Sequence, residues 1–180
     1  MPATRQPEIL PVAVILERTQ DPNPWEAWSF RLLEVVPDEG AFGDAPRQLV
    51  DDGKHSCWVF PGHQLQLFAD ECKGYFLNLT SGRPSWFVSW RVLDDDPSQV
   101  EVTSASVSYI EADRRMSAEE RVESVVLAPE LCQWLQDFTN RHFQPEGRRK
   151  VRAMSFLNPE ERARRSQEGL APEPQAPAEP

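Results

Sequence analysis

GYFLNLTSGRPSWFVSWRVLDDDPSQVEVTSASV, from Gly74 to Val107, is the stretch whose reading decides the fold. Apolar and polar residues alternate through it in three runs, and a period of two predicts strands. In the first run Tyr75, Leu77 and Leu79 face one way, with Phe76 and Asn78 the other. The turn signal Ser81-Gly82-Arg83-Pro84 follows it, as a hairpin requires. Residues 85–93 form the clearest strand, with Trp86, Val88, Trp90 and Val92 on one face. An acidic turn, Asp94-Asp95-Asp96-Pro97, leads into the third run, 100–107.

Working outward, PVAVILER (11–18) and residues 28–36 read as two further strands around the turn Asp21-Pro-Asn-Pro24. In the second, Trp28, Phe30, Leu32 and Glu34 share one side, and Ser29, Arg31, Leu33 and Val35 the other. Residues 37–54, rich in Gly, Pro and acid, read as a long connection with no element of its own. Residues 57–60 predict another strand, which Pro61-Gly62 turns into 64–68. Ser108-Tyr-Ile-Glu111 has the spacing of a capping box and predicts a short helix to about Arg115. Ser117-Ala-Glu-Glu120 repeats that signature, although 122–127 reads as extended. Pro129 suits a first helical position, and Leu131, Trp134, Leu135, Phe138 and His142 form one helical stripe ending near Phe143.

These elements predict an α+β fold, mainly antiparallel β: a bent sheet or partly closed barrel capped by one C-terminal amphipathic helix. The element order fits the pleckstrin-homology-like superfold by analogy, and a plain antiparallel sheet under one helix fits as well. The expected domains are a loose arm (1–8), a single β-rich domain (9–147) and a basic, then Pro-rich tail (148–180). That tail ends in APEPQAPAEP, which has too little to bury to fold.

At 180 residues the chain is sized for one domain. Cys57, Cys72 and Cys132 are an odd, sparse set and point to a reducing compartment. No secretory leader is recognised, and no run reaches the ~20 apolar residues of a membrane span. A cytoplasmic location is the expectation. The formal charge is -10. Residues 148–180 hold seven Lys/Arg and five Asp/Glu, or +2, which leaves -12 for residues 1–147. An acidic body disfavours nucleic acid and anionic membranes as partners.

Candidate chemistry is sparse. His55, Cys57, His63 and Cys72 have side chains suited to zinc or an iron–sulfur cluster. No C-x-x-C pair occurs, and Cys57 sits within the apolar run CWVF, so buried thiols and surface imidazoles are the plainer reading. Cys72, between Glu71 and Lys73, is the one cysteine with polar neighbours on both sides, the setting a nucleophilic thiol needs. Thr103, Ser104, Ser106 and Ser108 lack any nucleophile elbow or phosphate loop around them. Asp94 to Asp96 lacks the spacing of a calcium loop and reads as a solvated turn. Neither a metal nor a cofactor is expected. Candidate partner contacts are Trp25, Asn78, Arg91 and the basic cluster Arg148, Arg149, Lys150 and Arg152.

The segments VAVILER, NPWEAW, ECKGYFLNLTSGRPSWFVSWR, VTSASVSYIEADRRM, RVESVVLAPELCQWLQDFTNRHF and GRRKVR, within residues 11–152, together resemble domain-of-unknown-function family 3305. GYFLNL and PSWFVSWR are the most specific of them. Genes of these small bacterial proteins typically stand beside those for molybdenum- or tungsten-containing formate dehydrogenases and their accessory proteins. The resemblance thus implies an accessory role near formate oxidation, with a dehydrogenase subunit or maturation factor as partner, and brings no catalytic residues with it.

The reading is a non-enzymatic accessory or adaptor protein. Its alternative is an enzyme or cofactor or metal carrier in metal-cofactor maturation, using Cys72 with His55 or His63. A small-molecule sensor with a pocket between sheet and helix is a third. If the basic cluster is a second contact, deleting residues 148–180 weakens partner capture and leaves the melting transition nearly unchanged. Loss of folding on that deletion contradicts the proposed boundary.

Overall fold

Strand β1 (Glu8–Gln20) lies between two partners, and both of its neighbours deviate from a simple ladder. The computed structural model describes residues 8–20 and 25–144. After β1 come β2 (Trp28–Pro37), β3 (Arg47–Asp51) and β4 (His55–Leu67). A 3-10 turn at Ala69–Glu71 leads directly into helix α1 (Cys72–Leu79). Then follow β5 (Ser85–Val92), β6 (Val100–Ser106), α2 (Tyr109–Ser117), β7 (Val122–Val126) and α3 (Pro129–His142). The strands form two antiparallel sheets, ordered β2-β1-β4-β3 and β6-β5-β7. This is the expected α+β class with mainly antiparallel strands. The sheets are open, so the barrel version of the expectation does not hold, and α1 and α2 join the expected C-terminal helix.

Four local readings are corrected, each for a physical reason. Pro61-Gly62 does not turn the chain. Val12 pairs with His63 and Val14 with Phe60, so Pro61 and Gly62 bulge opposite Ala13 within one strand. A bulge tolerates a residue with no N–H to give the ladder, and Gly62 takes up the left-handed conformation there (φ 81°). The connection 37–54 contains β3, whose five residues are all exposed. Leu49 is its bulged residue: Gln48 pairs with Trp58 and Val50 with Cys57. The two apolar residues are therefore adjacent and show no alternation. In β2 a further bulge, with Ile15 opposite Glu34 and Leu16 opposite Leu32, leaves Leu33 unpaired. The slip turns Val35 to the buried side with Phe30 and Leu32, where strict alternation would have set it opposite.

The fourth correction concerns the first run of the deciding stretch, which is helix α1 rather than a strand. A short apolar run fits either period, and tertiary contacts decide here. Cys72, Tyr75 and Asn78 are buried at helical spacing, whereas Leu77 is exposed. Asn78 Nδ2 donates to the carbonyls of Ser85 (2.8 Å) and Val107 (2.9 Å), and its Oδ1 accepts from Ser85 N (2.9 Å). One side chain thereby satisfies backbone groups at the start of β5 and just beyond the end of β6.

Helix α2 begins as its signature predicts, with Ser108 Oγ accepting from Glu111 N (3.2 Å). The reciprocal half is altered: Ser106 Oγ takes the Ser108 N–H and donates to Glu111 Oε2 (2.6 Å). Helix α3 starts at Pro129 and buries Leu135 and Phe138, two members of the expected stripe.

The sheets meet through charged side chains. From β7, Glu123 Oε2 accepts from Leu32 N (2.9 Å), and Arg121 Nη2 donates to Phe30 O (2.9 Å). Arg121 and Glu123 also pair with each other at 2.9 Å. They engage alternate residues of the β2 edge, as a neighbouring strand would. Trp86, Val88 and Trp90 fill the core from the second sheet, as predicted, but Val92 at the strand's end is exposed.

Gly74 sets how closely α1 approaches α2. A Cβ there would lie 2.1 Å from Ser108 Oγ, well inside contact distance. Gly74→Ala is expected to cost about 1–3 kcal/mol, as overpacking does, and to lower Tm by about 4 °C or more. Exposed Lys73→Ala, the adjoining control, should stay within about 0.5 kcal/mol. Equal melting of the two variants would refute the close approach.

Candidate cleft between strands β4 and β6

Strand β3 reaches only from Val59 to Ser56 of β4, so among the described residues the second half of β4 has no partner on that side. Strand β6 is the outer strand of its sheet. A cleft of about 320 Å3 opens where residues 63–66 face residues 103–106. All four consecutive residues of each stretch line it. A strand presented face-on contributes alternate residues, so the cleft sees both strands in profile. Phe60 and Val100 line a neighbouring hollow of about 50 Å3, which sets the two strands running in the same direction.

Tyr75, Glu71 and Glu111 complete the wall. Tyr75 projects from the buried face of α1 and is 3% exposed. Its hydroxyl accepts from Phe68 N (3.1 Å), and its own proton has no acceptor among the described residues. Burial first, then the Glu71 carboxylate, push its pKa up to about 12, against the Phe68 hydrogen bond. It is a neutral donor at any working pH. Glu71 Oε2 accepts from Ser108 Oγ (3.0 Å), while Oε1 has no partner among the described residues. Glu111 is occupied by Ser106 and, through Oε1, by Arg115 (3.2 Å). Beyond Glu71 and Glu111 the cleft continues into a wider hollow of about 630 Å3 bounded by Asp70, Arg114 and Glu120.

His63 lines the cleft from the bulged part of β4, and burial holds its pKa below the ordinary 6.5. The ring is neutral near pH 7 and serves as acceptor or donor. His55 stands at the other end of β4, eight residues away or on the order of 25 Å along a strand. Its Nδ1 lies 3.1 Å from Thr19 Oγ1. Cys72 is 1% exposed, its Sγ directed at Phe68 O (3.7 Å), and burial followed by Asp70 raises its pKa. It does not line the cleft, and a buried thiol held protonated is a poor nucleophile and a poor metal ligand. Cys132 is raised likewise, by burial and Glu130. Among the described residues no three His, Cys, Asp or Glu side chains converge to hold a metal ion, and no helix is long and apolar enough to cross a membrane.

The candidate partner contacts fare differently. Trp25 is 90% exposed. Arg91 is on the surface but faces Glu101 in register, with Nε to Oε2 at 2.7 Å. Asn78, expected beside a reachable face, is 1% exposed and committed to Ser85 and Val107, so it contacts no partner in this fold. Arg148, Arg149, Lys150 and Arg152 lie outside the described residues, as do the arm 1–7 and the tail. Asp96 forms a solvated turn, accepting from both Ser98 and Gln99.

No reading of the sequence pointed to the β4–β6 cleft. The strand 64–68 and the polar alternation of Ser104 and Ser106 were visible, but two unpaired edges facing one another are a property of sheet order.

Residues 11–152 match the family described as "Protein of unknown function (DUF3305)". The chain belongs to this family. No curated protein matches it, and no solved structure does. As a DUF3305 member it carries the family match across every strand and helix described above except the first three residues of β1.

The His63 environment makes a pH-dependent contribution. The unfolded chain takes up a proton near 6.5, which the folded chain accepts only at lower pH. Stability therefore falls as pH drops through that interval. Exposed Asp51 and Asp52 and half-buried Asp96 act with the same sign, but only below 3.8, since hydrogen bonds chiefly from Gly53 N, His55 N and Ser98 Oγ lower their pKa values. His63→Gln should flatten the Tm curve between about pH 7.5 and about pH 5 and leave the more acidic limb in place. An unchanged curve in that range would show that the buried ring is not its source.

Proposed function

We propose that this DUF3305 protein is a non-enzymatic accessory or adaptor protein that recognises a segment of a protein partner. The observation carrying this reading is the contrast between its reactive and its unpaired groups. Cys72 is buried and held protonated, and Ser106 and Ser108 serve as turn and cap ligands. The unpaired groups are the backbone edges of β4 and β6 across the cleft. Such edges invite an added strand. Strand β3, exposed along its length, is a second such edge.

The partner in this reading is a subunit of a molybdenum- or tungsten-dependent formate dehydrogenase, or a factor that matures it. The support is the gene neighbourhood that goes with the family resemblance, together with an acidic chain of formal charge -10 suited to basic protein surfaces. The action is cytoplasmic, and catalysis belongs to the partner.

Affinity purification of the untagged chain from its native host, with mass spectrometry and metal quantification on one sample, tests this. Recovery of a dehydrogenase subunit or maturation factor, without stoichiometric metal on the chain, is expected. Recovery of neither would refute the partner assignment. Cys72→Ala should leave capture and formate oxidation by the host unchanged, with Tm lowered by a few degrees at most. Loss of formate oxidation by a folded Cys72→Ala protein would instead select the carrier reading.

A further inference from the structure

We infer that the β4–β6 cleft is the recognition site itself and that it takes an extended, basic segment of the partner as an added strand, with one Lys or Arg side chain directed at Glu71. The inference rests on the adaptor reading and names the chemistry of its ligand.

The backbone supplies the first half. Residues 63–66 and 103–106 line the cleft without interruption, and their strands run the same way. Among the described residues neither stretch has a strand partner on the cleft side. A segment running opposite to both meets each in the antiparallel sense, the more stable pairing per residue. Backbone hydrogen bonds then supply sequence-independent affinity, and alternate side chains supply selectivity.

The side chains supply the second half. Two carboxylates, Glu71 and Glu111, line the cleft, and no Lys or Arg does. Glu111 has an ion pair with Arg115, which it shares with Glu120 at 3.0 Å. Glu71 has only the Ser108 hydroxyl on one oxygen. Of the two carboxylates it is the one without an ion pair among the described residues, held in place by a cap residue that is 1% exposed. The phenol proton of buried Tyr75 and the neutral His63 ring line the same cleft. They offer a donor for a backbone carbonyl and an acceptor for an N–H, without repelling a cation. An acidic segment would bring its carboxylate against Glu71, and Arg114 and Arg115 line only the adjoining hollow.

The test uses the full chain and a capped seven-residue peptide of alternating threonine and valine with one central arginine, carrying a fluorophore. Saturable binding with a Kd below about 1 mM is expected by anisotropy, weakening as salt is raised. A central glutamate in place of arginine should weaken binding about tenfold or more, and Glu71→Gln should remove that preference while keeping the hydrogen bond to Ser108. N-methylation of alternate peptide nitrogens should weaken binding in either register, because each register faces one of the two edges. Equal binding of the arginine and glutamate peptides overturns the charge assignment. Indifference to N-methylation in both registers overturns strand addition, as does absence of binding. Glu71→Gln melts as wild type if it acts on the ligand alone, and capture of the native partner should fall with it. A partner recovered equally by wild type and Glu71→Gln sinks the cleft and spares the adaptor reading, whereas no partner with either protein sinks that reading.

Discussion

The fold turns on one buried amide. Asn78 holds the chain at Ser85 and at Val107 with three hydrogen bonds, at the points where β5 begins and β6 has just ended. Those backbone groups lie at strand termini, where the ladder no longer satisfies them, and leaving them unpaired inside the protein would cost about 1–3 kcal/mol each. The amide lies on a helix, so α1 is pinned to the second sheet by directional bonds as well as by apolar packing. Gly74, one turn earlier, lets the same helix rest on the cap of α2. Ser108 then serves both helices, accepting from Glu111 N and donating to Glu71.

This junction also builds the cleft. Glu71 precedes α1, Tyr75 projects from it, and Glu111 opens α2, so the network that positions the two helices orients the three side chains of the wall. The strands on the other side are separated for a different reason. β3 stops short along β4, and β6 ends its sheet, which leaves two edges that the fold does not close. At the opposite margin Arg121 and Glu123 occupy the β2 edge. One edge is thus satisfied by the protein's own side chains, and among the described residues the β4–β6 pair is left open.

A second cluster shows how strongly structural a charged residue can be here. The Arg18 guanidinium sits 4.6 Å from the Trp28 ring and 5.1 Å from the Trp58 ring, and donates to Ser56 Oγ and Ser98 O. Two aromatic faces and two oxygens meet its hydrogen-bonding and electrostatic needs. The Arg18 hollow, at about 50 Å3, is too small for a ligand of ordinary size. Arg18, Arg115 and Arg121 are likewise committed within the fold, and the Cys72 thiol is buried.

Sequence alone determined the parts whose signals are local. The strand SWFVSWRV shows its period of two, the Ser108 cap and Pro129 mark the starts of α2 and α3, and the stripe of α3 follows 3.6-residue spacing. The α+β class and the antiparallel strands followed from these. Tertiary structure decided whatever depended on partners distant in the chain. CKGYFLNL is helical because Asn78 and Gly74 meet residues of β5, β6 and α2, although its alternation suits a strand equally well. Bulges at Pro61-Gly62 and at Leu33 exist only against β1, and β3 has too little apolar pattern to announce itself. The cleft is the extreme case: it consists of hydrogen-bonding groups left over once two sheets have formed. No residue pattern encodes a backbone edge that lacks a neighbour, because every residue carries the same N–H and C=O until the sheet order is set.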